Sequence, residues 1–106
     1  MTLKSQETEP LNRERVLEIL REQKPILKER FGISDIALYG SFARDNATHD
    51  SDIDIIAEFE GEPSASSFFN AKFYLEELFG RPVDFGRRHT IRKEIRPYVI
   101  KDMIII

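Results

Sequence analysis

Nine consecutive residues, Asp52 to Glu60, constrain this chain more than any other stretch. On an extended backbone Ile53, Ile55, Ala57 and Phe59 fall on one side, and Asp52, Asp54, Ile56, Glu58 and Glu60 on the other. Alternation with a period of two marks a strand with one face on a core. The anomaly is the pair Asp52 and Asp54. Aspartate is a poor strand former, and two such residues at i and i+2 stand only about 6–7 Å apart on the same face. Like charges side by side cost free energy, so the strand needs a compensating positive charge. Hard oxygen donors that leave coordination positions open suit Mg²⁺, which keeps water and substrate phosphates in its shell.

The flanking pattern builds a small domain around this strand. Val16, Leu20, Gln23, Leu27 and Phe31 repeat at helical spacing, which predicts a helix over 10–31 that ends at Gly32. Pro25 lies inside it, so the helix either kinks there or gives way to a second one. Asp35-Ile36-Ala37-Leu38-Tyr39, halted by Gly40, reads as a strand. Ser41 to Arg44 can form one helical turn, and 45–51 is rich in side chains that bond their own backbone in turns. Ser64 or Ser66 caps a helix to about Phe79, stopped by Gly80, with Phe68, Phe69 and Phe73 expected in the core. Pro82 to Arg87 is a third strand, with Val83 and Phe85 inward and Asp84 on the opposite face. Thr90 caps a helix from Ile91 to about Lys101, broken or kinked at Pro97. The apolar tail Met103 to Ile106 needs a cover, either as an edge strand or against a partner. The expected fold class is α/β (α+β): one domain over 1–106, residues 1–9 frayed, with a small mixed sheet flanked by helices.

Composition narrows the setting. With 106 residues there is room for one core. No run approaches the roughly 18 apolar residues of a bilayer span, and MTLKSQETEPLNRER has no apolar signal segment. Without cysteine, thiolate metal sites and cysteine nucleophiles are excluded, and the cytoplasm is the expected compartment. A net charge of −3 argues against a general nucleic-acid coat. Segment 81–101 is nevertheless basic, with seven Lys and Arg against Asp84 and Glu94. That suits an anionic ligand, an acidic partner or a merely solvated face. His49 and His89 lack a partner at ligand spacing and read as surface residues.

The chemistry concentrates between Gly40 and Asp84. A strand-glycine-serine turn lets phosphate oxygens approach free amides and the Ser41 hydroxyl. Asp84, on the next strand, can stand beside Asp52 and Asp54, and three carboxylates can hold two metal ions. That arrangement fits in-line displacement at phosphorus.

Gly40-Ser41, ten residues and then Asp52-Ile53-Asp54 resembles the G-S-x10-D-x-D signature of the DNA polymerase β-type nucleotidyltransferase superfamily. The wording LYGSFARDNATHDSDIDIIAEF, followed by RPVDFG, is most similar to its minimal nucleotidyltransferases, over nearly the whole chain. The resemblance implies that Gly40 and Ser41 contact nucleotide phosphates and that Asp52, Asp54 and Asp84 bind Mg²⁺, in two ions. It makes Asp84 a candidate general base and places Arg44 and Ser51 at favoured nucleotide-binding positions. ATP as donor is implied by the family alone. The family often has glycine where Asp45 stands and a small acidic residue where Asn46 stands, so this loop has its own geometry. Minimal nucleotidyltransferases commonly act as antitoxins beside a HEPN-domain ribonuclease toxin, some by transferring AMP to a toxin tyrosine. The implied activity is therefore Mg²⁺-dependent adenylyl transfer to a HEPN toxin. The alternative is a non-catalytic binding module that neutralises the toxin by occlusion. Transfer to a small molecule such as an aminoglycoside ranks last, for want of a second lobe.

Overall fold

A computed structural model describes residues 11–106; the expected frayed segment 1–9 lies outside the described residues. The elements run α1 (Arg13–Phe31), β1 (Ile33–Tyr39), α2 (Gly40–Ala43), β2 (Ile53–Phe59), α3 (Ala65–Phe79), β3 (Val83–Gly86), a 3₁₀ turn (Arg88–Thr90), α4 (Arg96–Asp102) and β4 (Ile104–Ile105). The sheet order is β3-β2-β1-β4. β1 is antiparallel to both β2 and β4, whereas β2 and β3 run parallel. The mixed sheet expected from the sequence is therefore present.

α1 starts where Asn12 accepts a bond from the Arg15 amide at 2.9 Å and stops where Gly32 turns left-handed at φ 72°. Pro25 neither ends the helix nor opens a second one. Val16, Leu20 and Leu27 are fully buried on the face toward the sheet. α3 is capped by Ser64, whose hydroxyl accepts from Ser67 N at 3.1 Å, and packs beside α1. It buries Ala71, Leu75 and Phe79, a spacing of one residue per turn. The two helices and the inward face of the sheet, with Ile36, Leu38, Ile53, Ile55, Ala57 and Phe85, form one core.

Three expectations need correction. Phe68 packs on Phe59 and Phe85 at the core's edge, but Phe69 and Phe73 are 49% and 54% exposed, because α3 turns its Ala71-Leu75-Phe79 stripe inward instead. β1 begins at Ile33, two residues early, through an irregularity between Ile33 and Asp35. The extra residue lets Ile33 and Ile36, three apart, both face the core, which hides the strand from a strict period-two reading. The last helix is only Arg96–Asp102: a 3₁₀ turn and a loop replace its expected first half. Proline is at home in the first turn of a helix, where its missing N–H costs nothing, so Pro97 sits in the first turn of the helix it was expected to break or kink.

The tail finds its cover inside the chain. Ile104 and Ile105 pair with Leu38 and Ala37, the Ile106 amide donates to the Ile36 carbonyl at 3.0 Å, and Lys24 Nζ donates to the Ile106 carbonyl at 2.7 Å.

Candidate active site

Register decides what meets on the sheet's second face. Tyr39 stands opposite Asp54, and Asp54 stands beside Asp84. Their neighbours Leu38, Ile55 and Phe85 point into the core, so Asp84, Asp54 and Tyr39 form one row across three strands on the other side. Asp52 lies just before β2 and is exposed.

Gly40 closes the row. Its φ of 76° is left-handed, and a β-carbon there would stand 2.8 Å from the Asp54 carboxyl carbon and closer still to Oδ2. Only glycine fits between the turn and that carboxylate. The turn continues into α2, a single turn of helix from Gly40 to Ala43 that no side chain among the described residues caps at its start. Ser41 is the half-buried second residue of this turn.

Asp54 is pushed up to about 6 by burial first, then by the charges of Asp84 and Asp52 and by a hydrogen bond shared with Asp84. Arg44 offsets this only in part. Tyr39 is pushed up to about 12 by burial, then by Asp84 and Asp54. Both shifts come first from burial of the group and then from the neighbouring carboxylate charges. Among the described residues, no three carboxylate or imidazole groups stand close enough to clasp an ion as they are. Asp54 and Asp84, in register on neighbouring strands, with Asp52 two residues before Asp54, are nonetheless hard oxygen donors of the kind that Mg²⁺ takes.

The other candidates are placed differently. Arg44 Nη1 pairs with Asp102 on α4 at 3.1 Å, which ties α2 to the last helix. Ser51 works within the loop: its hydroxyl accepts from Thr48 N at 2.9 Å, and its amide donates to Thr48 O at 3.0 Å. Asp45 adopts a left-handed φ of 63°, the conformation that makes glycine welcome there, and its Oδ1 accepts from the Arg13 amide at 3.4 Å. His49 and His89 are exposed.

The nucleotidyltransferase domain family matches residues 20–106. The chain belongs to that family. Among relatives of this nucleotidyltransferase, the protein adenylyltransferase MntA of Thermococcus cleftensis is 35% identical over 96 residues, covering 91% of this chain and 97% of that protein. A solved minimal nucleotidyltransferase superposes with a TM-score of 0.72 at 30% identity, over 89% of this chain and 95% of the other. A toxin-antitoxin structure solved with AMP-PNP contains a chain of TM-score 0.62 at 19% identity, over 90% of this chain and 72% of that one, a likeness of fold.

Three further residues support the nucleotidyltransferase site and escaped the sequence reading. Arg81 Nη1 donates to the carbonyls of Ser51 at 2.9 Å, Thr48 at 3.3 Å and His49 at 3.4 Å, while its guanidinium lies 5.2 Å over the Phe42 ring. One side chain thus holds the loop that delivers Asp52 against the turn that carries Ser41. Glu76 on α3 accepts from the Val83 amide and from Lys72 Nζ, each at 3.0 Å. These bonds hold its carboxyl below the usual range and fix the start of β3, hence Asp84. Asp102 anchors Arg44. None carries a local signal, since each acts through a contact at least 7 residues away in sequence.

Proposed function

We propose that this chain is a Mg²⁺-dependent protein adenylyltransferase that transfers AMP from ATP to a tyrosine hydroxyl of a cognate HEPN ribonuclease toxin and so neutralises it. The observation that carries the reading is the close approach of Gly40 to Asp54, which sets the phosphate-sized turn directly against the carboxylate row. The 35% identity to a protein adenylyltransferase supports the donor and the protein acceptor, and the toxin-antitoxin structures of the same fold support the partner.

In this reading the amides of the Gly40-Ser41 turn and the Ser41 hydroxyl donate to the non-reacting phosphates of ATP and hold the α-phosphorus over Asp54. Asp52, Asp54 and Asp84 are the residues that would hold Mg²⁺, which supplies the positive charge that balances the phosphoryl oxygens as displacement proceeds. Asp84, exposed at the outer end of the row, accepts the proton of the incoming hydroxyl. The acceptor oxygen bonds to the α-phosphorus, the bond from that phosphorus to the bridging oxygen breaks, and pyrophosphate leaves. Arg44 and Ser51 serve by keeping the turn and the loop in place.

Intact-mass spectrometry of the protein encoded beside this one tests the reading. Co-expression with the unmodified chain should add whole AMP units to that partner, located on a tyrosine, and Asp52→Asn/Asp54→Asn should add none. Unchanged mass with continued co-purification would replace catalysis with neutralisation by occlusion.

A further inference from the structure

Beside the carboxylate row lies a cleft of about 250 Å³ lined by Tyr39, Gly40, Arg44, Ile95, Tyr98 and Val99, with Asp102 at its end. It shares Gly40 with the phosphate turn and Tyr39 with the row. Its outer wall is unusual: Ile95 is 46% exposed and Tyr98 71% exposed, two large apolar side chains left open to water next to a charged centre. At one end Arg44 and Asp102 pair at 3.1 Å, which puts donors and acceptors together at the cleft's edge.

We propose that this cleft receives the base of the nucleotide, with Tyr98 and Ile95 as the stacking surface and the Arg44–Asp102 pair facing the polar edge of the ring. The inference rests on the adenylyltransferase reading and adds to it the element that holds the base. A volume of about 250 Å³ is below the roughly 300–1,000 Å³ of sites that enclose a whole drug-sized ligand and suits one planar ring system. A base has two apolar faces and an edge of mixed donors and acceptors, and the cleft offers both complements. A nucleotide whose phosphates rest on the Gly40-Ser41 turn already reaches a cleft that has Gly40 in its wall. The short α4, which begins just after Ile95 and carries Tyr98, is then a recognition element.

The test compares two probes by calorimetry in the presence of Mg²⁺: AMP-PNP, which carries a base, and inorganic tripolyphosphate, which does not. Tyr98→Ala should weaken AMP-PNP by at least about tenfold, the scale of one lost base-aromatic stack, and leave tripolyphosphate unchanged. Tyr98→Phe should restore AMP-PNP binding, and Ile95→Ser should act in the direction of Tyr98→Ala. Thermal melts show whether the variants fold, which high exposure at both positions favours. Equal losses for both probes, or no loss for either, overturn the base site while leaving the transferase reading standing. So does a loss of toxin binding with AMP-PNP affinity intact, which would make Tyr98 a partner contact. An unmodified chain that binds neither probe overturns the transferase reading, and the base site falls with it.

Discussion

Gly40 and Asp54 show how tightly a single residue can be specified. Gly61 has an equally left-handed φ of 82°, but among the described residues nothing lies within 4 Å of where its β-carbon would be. Gly61→Ala should therefore cost only about 1 kcal/mol, the ordinary backbone penalty, and leave transfer intact. Gly40→Ala meets the same penalty and also drives a carbon into the Asp54 carboxylate. We expect a loss of about 2 kcal/mol or more and at least a hundredfold drop in transfer, measured by urea unfolding and by partner modification. Asp54 offers a complementary test because its charge is a liability without a cation. Its ordinary value of 3.8 rises to about 6 on folding, so between these values the native state binds more protons than the unfolded one. Stability must then fall as pH rises from about 4 to about 6 and stay lower above it. In metal-free buffer at pH 7.5, Asp54→Asn should melt several degrees above the unmodified chain, reflecting about 1–2 kcal/mol after solvent screening at a half-buried site. Near pH 4 the two should melt together. Added Mg²⁺ should raise the melting temperature of the unmodified chain and leave the variant unmoved. A variant no more stable than its parent at pH 7.5 would mean that burial and the neighbouring carboxylates impose no cost on the ionised Asp54.

At the scale of elements, what matters is which contacts hold the carboxylates in place from a distance. Arg81 is the clearest case, with three carbonyls and one aromatic ring served by one guanidinium. Arg81→Ala should reduce kcat by about 10–100-fold and raise the Mg²⁺ concentration needed for half-maximal rate, while Arg81→Lys should recover only part, since an ammonium cannot reproduce the planar stack on Phe42. A uniform loss of soluble protein with unchanged kcat would instead make Arg81 a folding residue only. The α3 helix supplies another test. Because Phe69 and Phe73 lie outside the core stripe, replacing both by serine should cost less than about 1 kcal/mol in total, whereas Leu75→Ala should cost about 2–5 kcal/mol. The acidic strand β2 was legible in the sequence because alternation, glycine-serine turn and acidic spacing are all local. The stripe of α3 was not, because nine of its 15 residues are apolar or aromatic and several helical faces satisfy the same spacing. The bulge in β1 and the late start of α4 escaped for a related reason. Each is fixed by tertiary demand or by one proline whose effect depends on where the helix begins. The resemblance to minimal nucleotidyltransferases pointed to the row of carboxylates; it carried no signal for Arg81, Glu76 or Asp102.

At the scale of the whole molecule, the sheet owes its shape to β1. This strand lies between β2 and β4, ends in the turn that carries Gly40, and contributes Ile36 and Leu38 to the core. Without β4 it would be an edge strand with a buried apolar sequence, the arrangement that invites pairing with other chains. Segment 103–106 prevents this with two ladder positions, the Ile106–Ile36 bond, the Lys24 bond to Ile106 and two half-buried isoleucines packed on the core. Half-burial of two isoleucines is worth about 2 kcal/mol, and the lost hydrogen bonds about 1 kcal/mol more. Deleting 103–106 should therefore destabilise the chain by about 3 kcal/mol in urea unfolding and produce concentration-dependent light scattering that the full chain lacks. Lys24→Met removes only one bond to the same segment, so it should cost no more than about 0.5 kcal/mol and cause no scattering. If the deletion left stability unchanged, β1 would be held by β2 and the helices alone. The last strand would then be a surface feature, not the cover of the strand that presents the Gly40-Ser41 turn.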